Sequence, residues 1–234
     1  MKRMTVYLLL ILLRTAIVYA ELFMETISNP DGTIEHIFYS DGKEIAKQIL
    51  DEDENIIKTI GKIPDGIVRE YYESGKLKAE WNYEKGKPDG ICKTYYESGE
   101  LMFEYNYKDG DREGITRSFY MSGRLKYEYK YRGGKLDGTV KKYYRNGNIA
   151  FVWKYKDGKR EGIAKSYSKN GSLKAKWNYK DDQLNGMIRI YYKSGGIKYI
   201  DTYRGGYKVN RKAYEQRGKL EFDQDYPFDE KRKN

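Results

Sequence analysis

The chain has one histidine, His36, and one cysteine, Cys92, among its 234 residues. One of each cannot build a Ser-His-Asp relay within the repeats that fill the chain, a His/Cys zinc cluster or an internal disulfide framework. Apolar residues are scarce too. Only 39% are hydrophobic against 34% charged, and the mean hydropathy is −0.91, which excludes one large apolar core. The apolar surface comes mainly from rings, with 26 Tyr beside 7 Phe and 3 Trp. A tyrosine ring can be buried at one edge and wet at the other, so this composition suits a thin, half-wet sheet.

Residues 1 to 20 read as an export signal. Lys2 and Arg3 form its charged start, Thr5 to Leu13 its apolar stretch, and Val18-Tyr19-Ala20 a small-residue cleavage site. An uncleaved membrane anchor competes with this reading, but the run before Arg14 is nine residues, against about 20 for a spanning helix. No cysteine stands at the cleavage site, so the pattern is not that of a lipid-anchored lipoprotein. A mature chain would begin near Glu21 outside the cytoplasm, where a lone Cys92 has no partner with which to mispair.

Gly66, Gly90, Gly114, Gly138, Gly162 and Gly186 recur every 24 residues without an insertion, the mark of a repeat array. With each opening glycine as position 0, position 9 is always Gly and position 17 always Tyr. Position 5 is Tyr or Phe, position 11 Leu or Ile, and position 15 Trp or Tyr until Asp201. Position 20 is Gly except at Asp182. Positions 1 to 6 and 10 to 17 are rich in Ile, Val, Tyr, Trp and Leu, and each run ends at a turn dipeptide such as Ser-Gly, Asn-Gly or Asp-Gly. This predicts one β-hairpin per repeat. Ser or Asn before the position 9 Gly favours a three-residue loop ending in a left-handed glycine. In that register positions 1, 3, 5, 11, 13, 15 and 17 are expected on one face.

The expected fold is therefore all-β, an elongated, solenoid-like, single-layer meander of hairpins. After the signal (1–20), residues 21–65 form a degenerate capping region in which residues 38–42 echo positions 5 to 9. Six tight copies occupy 66–209, a one-residue-short copy follows over 210–227, and 228–234 is a polar tail.

The pattern Gly-Ile-x-Lys/Arg-x-Tyr-Tyr-x-Ser/Asn-Gly-x-Leu-Lys-x-x-Trp/Tyr-x-Tyr-x-x-Gly-Lys-x-Asp/Glu-Gly resembles the MORN-variant repeat of bacterial proteins labelled YwqK-type antitoxin components. Residues 66 to 90, with Tyr71, Tyr72, Gly75, Leu77, Tyr83, Gly86 and Lys87, copy it closely. The resemblance implies an extended run of hairpins and a binding role without catalysis; it transfers no catalytic residue.

Position 3 is always basic, as Arg69, Lys93, Arg117, Lys141, Lys165 and Arg189. Copies two strands apart should set these cations in a row about 9 to 10 Å apart, either as a stripe for an anionic partner or as structural cation–π contacts over rings at positions 13 and 15. Residues 114–209 carry 23 Lys and Arg against 7 Asp and Glu, whereas 21–65 carry 4 against 11. The candidate binding residues are therefore Arg117, Lys141, Lys165 and Arg189, with the rings Tyr131, Tyr155, Tyr179, Trp153 and Trp177. The acidic position 23 is read as turn chemistry, because single carboxylates about 10 Å apart cannot share one Ca²⁺, and Cys92 as a small apolar residue.

The reading is of an exported, non-enzymatic repeat protein, with no cofactor, metal or small-molecule substrate, that binds a protein partner with an acidic surface. A polyanion or anionic membrane is the second class, marked by steep salt dependence. A cytoplasmic antitoxin-like component is the third, and requires that residues 1–20 not be an export signal.

Overall fold

A computed structural model describes residues 21–53 and 56–227. The expected export signal and the polar tail lie outside the described residues. Every regular element among the described residues is a strand, and their contacts divide the chain into two compact units, one up to Ile63 and one from Pro64.

The first unit is an antiparallel meander of Leu22–Ser28, Ile34–Ser40, Lys43–Leu50 and Ile56–Gly61. Met24, Ile37, Phe38, Ala46 and Leu50 supply its buried apolar side chains. The expected likeness of residues 38–42 to positions 5 to 9 fails at the turn. Ser40 pairs with Lys43 across Asp41 and Gly42, whose φ values of 50° and 72° make a two-residue connection. Two successive left-handed residues are the type I′ geometry that Asp-Gly accepts readily, so this loop matches the second turn of the repeats rather than the first.

In the second unit each copy contributes a six-residue strand, Gly66–Tyr71 in the first, and an eight-residue strand, Leu77–Glu84. Each eight-residue strand pairs with the six-residue strand before it and with that of the next copy, and the last, Ile197–Arg204, pairs onward with Tyr207–Tyr214. The meander closes with Tyr207–Tyr214 and Leu220–Asp225. The first turn is the expected three-residue loop: Tyr72 N–H donates to the Lys76 carbonyl at 2.9 Å, and Gly75 takes φ 78°. The second is a type I′ pair, Lys85-Gly86 at φ 52° and 77°. Asp181-Asp182 adopts the same conformation without glycine, at 48° and 65°. There the Asp182 carboxylate accepts from both the Arg160 amide and its Nε at 2.9 Å, which offsets the left-handed strain.

The expected division of faces is corrected by a second irregularity. Val68 pairs with Trp81 and Glu70 with Ala79, but Tyr71 pairs with Leu77, so Lys78 is an extra residue in the longer strand. The same shift recurs in every copy. One inserted residue moves everything beyond it to the opposite side of the sheet. Positions 13, 15 and 17 therefore share a face with positions 2 and 4, not with positions 1, 3 and 5. Burial agrees: Val68, Ala79 and Tyr83 are buried, whereas Ile67 at position 1 is exposed.

Candidate functional site

The ring face carries positions 13, 15 and 17. Phe103 stacks on Tyr105 at 5.3 Å, Tyr127 on Tyr129 at 5.4 Å, and Phe151 on Trp153 at 5.0 Å. Contact also passes between copies, from Trp81 to Tyr105 at 6.1 Å and from Phe151 to Trp177 at 6.4 Å. The sequence-derived rings Tyr131, Trp153, Tyr155, Trp177 and Tyr179 are brought together here, each half-buried. Cations lie over this face from position 4, where Lys142 is 5.3 Å from the Tyr127 ring, and from position 22. The Arg112 guanidinium is 5.1 Å from the Tyr105 ring and 5.5 Å from Tyr131, and that of Arg160 is 4.5 Å from Tyr179. Burial pushes the Tyr129 phenol up to about 12 and raises Tyr155. The column ends at Asp201, 3% exposed, whose carboxylate takes a two-pronged bond from Arg211 at 2.6 and 2.7 Å.

The position 3 cations lie on the opposite face, so they neither interleave with these rings nor sit over positions 13 and 15, and the register overturns the cation–π expectation for the row. Their neighbours are the position 14 residues. Arg69 reaches Glu80 at 3.3 Å, Arg117 reaches Glu104 at 3.0 Å, and Lys141 reaches Glu128 at 3.0 Å. Lys93 stands in register between Glu80 and Glu104. One transverse row thus alternates in charge across the first copies. Beyond Lys141 it changes, for Val152, Lys165, Lys176, Arg189 and Ile200 follow in register. Of the four sequence-derived cations, Arg117 and Lys141 are paired within the sheet. Lys165 and Arg189 have no carboxylate partner among the described residues, and Lys176, which the sequence reading did not single out, stands between them. Reading position 14 down the copies, Glu, Glu, Glu, Val, Lys, Ile, holds the signal.

Two further periodic contacts are structural. Position 6 tyrosines donate to the carbonyl of the next copy's position 5, from Tyr72 to Tyr95 at 2.7 Å through Tyr144 to Tyr167 at 2.8 Å. The acidic position 23 serves turns, as expected: Asp65, Asp89, Glu113 and Glu161 each accept a backbone N–H from the following copy's type I′ turn, at 2.6 to 3.1 Å. Cys92 is fully buried and its thiol is pushed up to about 11 by burial, the state of a small apolar residue. Among the described residues no group of three metal-ligating side chains gathers.

Four stretches of the chain, residues 64–85, 88–109, 136–157 and 160–181, match the MORN repeat variant. No curated protein matches the chain.

Proposed function

We propose that this chain is an exported, non-enzymatic binding module whose ring face docks a protein partner. The observation that carries the reading is the run of half-buried rings from Tyr131 to Tyr179 on a single layer of strands. Tyr and Trp are the side chains that anchor protein interfaces, because they desolvate a large area at small conformational cost. Arg160, laid over Tyr179, adds a planar donor group of the same kind. The MORN-variant matches agree with a repeat protein that acts by binding. Export rests on the Lys2-Arg3, Thr5 to Leu13 and Ala20 pattern.

The test has two parts. Protein made in its native host is sequenced from its N-terminus, with Glu21 or a near neighbour expected first; intact Met1 in soluble cytoplasm would remove export and favour the antitoxin-like reading. Affinity capture then compares the natural protein with Trp153→Ala and Trp177→Ala at low and high salt. A partner lost from variants that keep their melting behaviour supports the ring face, and one retained by both rejects it.

A further inference from the structure

The transverse row on the opposite face points to a second surface, which does not depend on the ring-face reading. In the first copies every cation of the row has a glutamate beside it, at 3.0 to 3.3 Å where the pair closes. At Lys165 the cross-strand partner is Lys176, and the next is Arg189. Like charges directly opposite one another destabilise a sheet, yet three stand in succession. None of the three pairs with a carboxylate among the described residues; the Arg189 guanidinium has only the Met187 thioether, at 3.9 Å. Beyond Ile200 the alternation resumes, with Lys212 bonded to Asp223 at 3.0 Å. The gap is therefore local, and not a general drift toward positive charge.

We infer that Lys165, Lys176 and Arg189 form a docking site for an extended acidic segment of another protein, whose carboxylates take the place that Glu80, Glu104 and Glu128 fill in the earlier copies. The bracketing residues favour a protein over a phosphate polymer. Val152 and Ile200 close the cation row at its two ends, and Ile163 and Met187, on the same face, are 50% and 52% exposed. A segment with two or three acidic residues flanked by apolar ones satisfies both, whereas a phosphate backbone leaves the apolar positions unused. From Val152 to Ile200 the row crosses four strand spacings, about 19 Å, which an extended segment of about six residues covers.

Lys176→Glu is the decisive substitution, because it extends the alternation already present in copies one to three and so keeps the fold. The probe is a synthetic peptide of alternating Glu and Val, with its Gln-for-Glu counterpart, a single-stranded oligonucleotide and vesicles containing an anionic lipid as comparisons. The full chain should bind the Glu peptide, bind it less as salt rises, and ignore the Gln peptide. Lys176→Glu should weaken that binding by about tenfold or more with a melting temperature equal to or above that of the natural protein. Arg69→Gln and Trp177→Ala should leave it unchanged. Unchanged Glu-peptide binding by Lys176→Glu would overturn the proposal, as would oligonucleotide or vesicle binding that matches the peptide and is lost with the same substitution. If peptide binding falls with Lys176→Glu while partner capture falls only with the tryptophan variants, both surfaces stand; either can fail while the other stands.

Discussion

The Tyr72 hydroxyl donates to the Tyr95 backbone carbonyl at 2.7 Å, across 23 residues of sequence. The bond joins neighbouring copies at the loop end of the hairpins, where strand pairing has already stopped. It recurs copy after copy until position 6 becomes Ser168, whose hydroxyl turns back to Asn170 and to the Ser172 carbonyl.

Removing one such bond exposes its worth. Tyr96→Phe keeps the ring and deletes the donor to Phe119, so urea unfolding should show a loss of about 1 kcal/mol. Ser168→Tyr should supply the absent bond to the next copy and recover a similar amount; a variant less stable than the natural protein would contradict that assignment.

Asp201 is nearly enclosed and depends on Arg211 for both of its oxygens. Asp201→Ala leaves the guanidinium without its counter-charge in a partly buried place. Denaturant unfolding should register a loss of about 3 kcal/mol, while the double change of Asp201→Ala with Arg211→Met should recover part of it.

Cys92 has neither exposure nor an ionised form near neutrality, its thiol being pushed up to about 11. A thiol reagent at pH 8 should leave the folded chain unlabelled and react fully once denaturant is added. Rapid labelling of native protein would show that the hairpin around Cys92 opens readily.

Burial holds Tyr129 neutral, its phenol pushed up to about 12, and raises Tyr83 in the same direction. Tyrosines in the unfolded chain ionise near about pH 10. Below that pH both states keep their protons and the full stability is present. Between about 10 and 12 the unfolded chain releases protons that the folded one retains, so stability falls as pH rises. An ultraviolet titration should show late-ionising tyrosines that merge with the rest when the sheet melts.

The period, the hairpins and the first turn were legible in the sequence because glycine punctuates every copy at the same interval. The partition of faces was not. Lys78 and its counterparts add a residue to one strand without changing the length of the repeat, so the alternation reads the same whether they are paired or bulged. Only the pairing shows that Arg117 and Lys141 meet Glu104 and Glu128 and that Trp153 looks the other way. Lys176 escaped notice for the same cause: without the register, position 14 has no reason to be compared with position 3.

The neighbour-to-neighbour pairing of the second unit also bears on how the chain acquires its structure. Sheets assemble slowly when their strands must find partners far away in sequence, since long loops are closed before any contact rewards them. Here Gly162–Tyr167 meets Leu173–Lys180 across a short loop, and Gly186–Tyr191 follows after one more turn. Each closure is local, and a strand finds its partner already in place when it arrives. Assembly can then keep pace with synthesis from the N-terminal side, one hairpin settling on its predecessor while the next is still being made.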